Sequence, residues 1–468
     1  MGIFKKANNI YITVRDTYTS ISGSSYEEAE EVIIEATNGD LELVSQKKVI
    51  MQGLGNNSDT QETEEQSTEE EKVINAPCVV HFRPHKDWQG EFGFDWFRTG
   101  DTGMKGDNDF RKTVGYYYKN KITKEKYKSG NIPNPQDFEI DSKLLTNAEN
   151  RFEEYKIIKK KANDEKYFVP KMTLAKGKKA ILKLLINKVS AIKNDEYLSF
   201  KLKKYKECFK LSDEKITIGE FIKKQCIFEI ECIEEFTDTA PVFLEIEIME
   251  KFCGALQIYP NGKKFQKKID ITLVKVSKRG EKFEIESQKN FLKKVLGQAL
   301  VTPLFDREPF DLKNRDRDYL LKEKEDNNII QRINDITINH KNKIIFLIDV
   351  NREDVAGITL IGRKYSICFG EKISESTMTH EFLHSLDLLE IFDGEAEVKI
   401  GNNIKKIESP VVHKLYSTNN IMDYLEKNEN NKQSNGERIS LFSWQWEVIN
   451  SSLGDIKPLS KSMEKGKN

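Results

Sequence analysis

Between about residues 165 and 277 nearly every second side chain is apolar, and no other feature limits the possible fold so tightly. The stretches KAILKLLINKVS, EYLSFKL, CIFEIECIEEF, PVFLEIEIME, GALQIYPNGKK and KKIDITLVKVS follow one another with turns between them. Alternation at period two puts one face of a strand into a core and the other into water. A succession of such short strands predicts one or two β-sandwich modules, spanning residues 166–280. No motif in this stretch carries chemistry.

Beyond about residue 285 the period changes. Phe291, Leu292, Val295, Leu296 and Ala299 fall at helical spacing, and residues 318–338 read as a second, more polar helix. KIIFLIDV at 343–350 is a near-continuous apolar run, as expected of a central strand covered on both faces. YSICF at 365–369 reads as a shorter strand. Residues 285–455 are thus expected to form a mixed α/β domain.

Towards the N-terminus, residues 8–53 alternate in short pieces around the turn Thr37-Asn38-Gly39-Asp40, which predicts a small β module over 1–54. The segment GLGNNSDTQETEEQSTEEEK that follows is acidic and almost devoid of apolar side chains, so it cannot repay the entropy of ordering. Residues 55–72 are read as a linker. Residues 73–165 contain CVVHFRPHKDWQGEFGFDWFRTGD at 78–101, whose clustered Trp and Phe predict the packed core of a separate aromatic-rich β domain. His81 and His85 within it are read as structural. Residues 456–468 are read as a flexible tail. The expected class is multidomain α+β, β modules preceding an α/β domain.

With 32% charged residues of both signs and a net charge of −1, bulk electrostatics point to neither nucleic acid nor an anionic membrane. No apolar run approaches the roughly 18 residues of a membrane span. The N-terminal MGIFKKANNIYITV has no apolar core followed by a small-residue cleavage site, so export by a signal peptide is not expected. Six cysteines are scattered without C-x-x-C spacing, which suits reduced thiols made in a cytosol.

His380-Glu381-Phe382-Leu383-His384 fits H-E-x-x-H. On a helix the two imidazoles project from one face, close enough to grip one ion such as Zn2+. Glu381 sits about 100° round the helix, where it faces an attacking water rather than the ion. Ser374 or Ser376 is placed to cap this helix.

Residues 365–424 resemble the metzincin clan of zinc metallopeptidases, whose motif is H-E-x-x-H-x-x-G-x-x-H followed by a Met-turn. NNIMDY is similar to that turn, with Met422 as its methionine, and ISLFSWQWEVIN at 439–450 resembles a C-terminal helix of bacterial members. The resemblance implies His380 and His384 as ligands, Glu381 as general base, and Tyr424 as a group that stabilises the oxyanion. It also exposes a departure. Asp387 stands at the turn glycine and Glu390 at the third histidine. Asp tolerates the left-handed conformation better than most residues, and carboxylate oxygen is an accepted zinc ligand. Glu390 therefore serves if the chain turns at Asp387, whereas a continuing helix carries it away. His413, Asp393 and Asp387 itself are the alternatives.

Residues 8–55 resemble the short β repeats of phage-type and type VI secretion spikes. HFRPHKDWQGEFGFDWFR at 81–98 resembles a segment of multidomain metallopeptidase effectors of Bacteroidetes type VI systems. Together these resemblances imply a zinc endopeptidase toxin cleaving protein or peptide substrates. They further imply manufacture in the bacterial cytoplasm, export by a contractile injection machine, contacts with spike or tube subunits, and an immunity protein. The alternative is a non-catalytic spike component whose metal site has degenerated.

Overall fold

A computed structural model describes residues 72–118, 138–158, 165–237, 240–278, 284–307, 310–352, 355–400, 403–424 and 438–454, all within one unit, Glu62–Asn468. The expected spike-like module, all but the last residue of the linker and the C-terminal tail lie outside them. The described residues form a mixed α/β structure dominated by strands.

The alternating segments form two facing sheets. One runs in the order Phe209–Leu211, Ile227–Cys232, Lys179–Lys188, Cys78–Pro84. The other runs Lys215–Thr217, Tyr197–Leu202, Val242–Ile248, Lys251–Ile258, Lys171–Thr173, Gly93–Asp95. Burial along Val242–Ile248 and Ile227–Cys232 alternates strictly, as period two requires. Phe200 of one sheet stacks on Phe228 of the other with ring centroids 4.4 Å apart, inside a core shared by both sheets.

The aromatic segment is not the separate domain expected for 73–165. Cys78–Pro84 pairs antiparallel with Lys179–Lys188 over seven positions, and Gly93–Asp95 pairs with Lys171–Thr173. Phe82, Trp88, Phe92, Phe94 and Trp96 do pack a core, but the core is that of the sandwich, while Phe97 enters the core beside the parallel sheet. Local composition announces burial without naming the partner, which here lies about a hundred positions away.

A second correction concerns Lys267–Val276, read as the last strand of the sandwich. It lies inside a five-stranded sheet ordered Val301–Phe305, Lys267–Val276, Lys343–Ile348, Tyr365–Phe369, Gly357–Ile358. The first four strands are parallel and Gly357–Ile358 is an antiparallel edge. Alternation identifies a strand but is silent about which sheet receives it. Lys343–Ile348 is central, as its apolar run predicts. Ile344, Phe346 and Ile348 enter the layer of helices Asn314–Lys322 and Asp326–Thr337, while Ile345 and Leu347 face helices Glu286–Gly297 and Glu375–His384.

The polar helix expected over 318–338 is divided. Glu323 ends the first part in extended backbone, and its carboxylate accepts hydrogen bonds from the amides of Lys324 and Glu325. A side chain that captures its own downstream amides competes with helical bonding there.

A fragment starting at residue 285 lacks the strand that joins Val301–Phe305 to Lys343–Ile348. It is predicted to remain unfolded by circular dichroism, whereas the full chain unfolds cooperatively. Cooperative melting of that fragment would contradict this topology.

Candidate metal centre

The Tyr365–Phe369 strand leads into helix Glu375–His384, where Ser374 is the N-cap and its hydroxyl accepts from the Thr377 amide at 3.0 Å. Phe382, Leu383 and Met378 bury one side of this helix against Leu292, Val295 and Leu296 of Glu286–Gly297. That packing fixes the helix on the sheet and holds His380 and His384 on a common face.

The helix stops just past His384 because Asp387 takes φ 67°, the left-handed conformation. The Leu388 amide then returns to the Leu383 carbonyl at 3.3 Å. Lys405 pairs with the Asp387 carboxylate at 2.7 Å. Beyond this reversal Glu390 comes back to the histidines. Its Oε1 lies 3.2 Å from His380 Nε2 and 3.4 Å from His384 Nε2. The three candidate ligand atoms all fall within 4.8 Å of one another in a buried site.

Both rings are oriented from behind. His380 Nδ1 faces the Ile421 carbonyl at 2.9 Å and His384 Nδ1 faces the Leu388 carbonyl at 2.8 Å. A carbonyl can only accept, so each Nδ1 is the donor and each Nε2 offers its lone pair to the centre. Glu390 Oε2 is buried, and among the described residues no hydrogen bond to it meets the usual geometry. Electron-pair donors gathered this closely repel unless a cation or a proton lies among them. The site therefore fits a divalent ion held by two histidines and a carboxylate, a donor set zinc accepts.

Without an ion, protons take that place. Burial works against a charged His384, but the adjacent Glu390, helped by Glu381, outweighs it and pushes the imidazole up to about 9. Glu390 is held well below the usual carboxylate range, its own burial outweighed by His380 and His384.

Residues 420–424 form the wall behind His380. Met422 is fully buried, and its amide donates to Asn420 Oδ1 at 2.9 Å. The Asp423 carboxylate accepts from the amides of Tyr416, Thr418 and Tyr424 and from the Thr418 hydroxyl. Arg438 donates to the Asp423 carbonyl and to Ser376 Oγ, clamping the turn to the start of the motif helix. Tyr424 places its ring 5.9 Å from that of His380. Burial first, then Glu390, pushes its hydroxyl far above the ordinary tyrosine range, so it stays a neutral donor.

Glu381 stands outside the ligand cluster and faces the edge strand. A Cβ at Gly357 would come within 2.4 Å of Glu381 Cγ and 2.8 Å of its Oε1, so only glycine lets the strand pass this close.

The alternative ligands do not join the cluster. The His413 ring stacks on Phe442 at 4.8 Å and meets Phe110 edge-on at 4.9 Å. Burial, reinforced by Arg98, lowers its pKa to about 3. Asp387 is engaged with Lys405, and Asp393 follows Glu390 without entering the group. The orienting carbonyls of Ile421 and Leu388 left no trace in the sequence, since every residue carries one.

No family model matches the chain, and no curated protein matches it. A solved structure described as "Structure of a chaperone-substrate complex" aligns at 12% identity and a TM-score of 0.20, covering 46% of this chain and 40% of that one. A likeness of that size carries no argument about fold.

Two outcomes test the centre. Wild-type protein purified without added metal is expected to carry about one zinc per chain by elemental mass spectrometry, and Glu390→Ala very little. The second concerns pH. A histidine whose folded pKa of about 9 exceeds its ordinary 6.5 contributes stability below pH 6.5 and loses it as pH rises through 9. Chelator-treated protein should therefore lose thermal midpoint between pH 6.5 and 9, and zinc-loaded protein should not. A flat profile for the treated protein would contradict the proton's place in the site.

Proposed function

We propose that the chain is a zinc-dependent endopeptidase with a metzincin-like site, in which His380, His384 and Glu390 hold the ion. The observation that carries this reading is the reversal at Asp387, which returns a carboxylate to the two motif histidines while leaving Glu381 outside the ligand group. When bound, zinc supplies the Lewis acidity that makes water a nucleophile near neutral pH.

The protein's own groups supply the rest. Glu381 is the general base, taking a proton from the attacking water and passing it to the leaving nitrogen. Tyr424, kept neutral, donates its hydroxyl proton in a hydrogen bond to the oxyanion that develops at the carbonyl. The Gly357–Ile358 strand ends the sheet beside Glu381. An extended peptide can add to such an edge by main-chain hydrogen bonds, which favours a peptide over other acyl substrates.

Delivery as a toxin through a type VI-like injection machine, with spike subunits and an immunity protein as partners, rests on the resemblances of residues 8–55 and 81–98. All six cysteines are free thiols, in keeping with manufacture in a reducing cytoplasm. Among the described residues no helix is long and apolar enough to cross a membrane.

Glu381→Gln is expected to lower cleavage of a peptide library by about 10²–10⁴-fold with zinc content unchanged. Full activity in that variant would end the mechanism. A zinc-loaded wild type that cleaves no peptide would favour the non-catalytic spike component instead.

A further inference from the structure

The aromatic segment contains an arginine whose surroundings are unusual for a charged side chain. Arg98 is wholly buried, its guanidinium 4.3 Å from the ring centroid of Trp96, 4.8 Å from that of Phe442 and 5.5 Å from that of Phe110. Taking a guanidinium out of water is costly, so the hydrogen bonds it makes indicate what it is retained for.

Those bonds lead to the metal centre. Arg98 Nη2 donates to Asn419 Oδ1 at 3.0 Å and to Ser440 Oγ at 3.4 Å, and Ser440 Oγ donates to the same Asn419 oxygen at 2.9 Å. The Ser440 carbonyl accepts from the Ile421 amide at 3.0 Å. The Ile421 carbonyl, on the other side of that residue, receives His380 Nδ1. Neighbouring contacts run along the same path. Asn108 Nδ2 donates to the Ser417 carbonyl, and Asp107 bridges to Thr418.

We propose that Arg98 is a positioning residue of the metal centre. By holding Asn419 and Ser440 it sets the Ile421 carbonyl, and through it the angle at which the His380 ring presents Nε2. This rests on the metal reading given above. It assigns the DWFR part of the aromatic segment a role in the site that core packing alone would not require. Groups that orient a ligand from behind typically change metal affinity by about 10–100-fold when lost.

The test compares Arg98→Met, Arg98→Lys and Asn419→Ala in the full chain. Arg83→Met serves as a control, because Arg83 is also buried on the same segment but bonds Asp101 and the Phe82 carbonyl. Zinc affinity is read by competition with a chromophoric chelator, and ligand geometry by the visible absorption of the cobalt-loaded protein. Arg98→Met and Asn419→Ala are expected to weaken zinc binding about 10–100-fold and to alter the cobalt bands, with Arg98→Lys intermediate. The Arg98→Met/Asn419→Ala double variant should bind no more weakly than the worse single one, since both cut the same link. Arg83→Met should lose stability and keep native affinity.

If Arg98→Met does not fold, Arg98→Lys and Asn419→Ala decide. Native affinity and native cobalt bands in those two would overturn the assignment while leaving the metal reading intact. A wild type that takes up neither ion would instead overturn the metal reading, and with it this role for Arg98. Hydrogen exchange at the Ile421 amide, followed without metal, gives a further readout. Faster exchange in Asn419→Ala supports the hold on the turn, and unchanged exchange counts against it.

Discussion

The reversal of the chain at Asp387 is the condition on which the site depends. Had the motif helix continued, Glu390 would stand about 9 Å above His384 along the axis and well off its face. Instead an L-residue adopts a left-handed conformation that costs about 1–2 kcal/mol. The Leu388-to-Leu383 backbone bond, the His384–Leu388 contact and the Lys405 pair all form on the reversed path and offset that cost. The same turn that ends the helix thus builds part of the shell around one histidine.

Gathering two imidazoles and a carboxylate in a buried space creates an electrostatic demand that the surroundings meet on one side only. Backbone carbonyls fix the donor nitrogens, which leaves the lone pairs pointing inward with a proton or a cation as the possible occupant. Much of the remaining structure near the site holds those carbonyls still. Asp423 collects three amides of its own loop, Arg438 ties that loop to the motif helix, and Arg98 reaches it from the aromatic segment. The α/β region is consequently inseparable from residues more than 250 positions earlier in the chain.

That dependence explains why the domain boundaries drawn from composition do not match the sheets. Strands were legible wherever apolar side chains alternated, as in Val242–Ile248, or ran together, as in Lys343–Ile348. The candidate site was legible too. H-E-x-x-H fixes the spacing of His380, Glu381 and His384 on any helix, and the resemblance drawn for residues 365–424 pointed to Asp387 as the turn and Glu390 as the third ligand. His413 was the misleading signal, a histidine near the site in sequence whose ring is spent on Phe110 and Phe442.

Local pattern and chemistry, then, determined which segments become strands and helices, which residue types can bind an ion, and which position must turn. Both kinds of information reside in a few neighbouring residues, because period and ligand spacing are short-range properties. Only the tertiary structure decided that Lys267–Val276 joins the parallel sheet, that Cys78–Pro84 completes the sandwich, and that Ile421 and Leu388 orient the histidines. Sheet partners and backbone acceptors are chosen by the packing of distant segments. A carbonyl is common to every residue, so its role becomes visible only where the fold puts it.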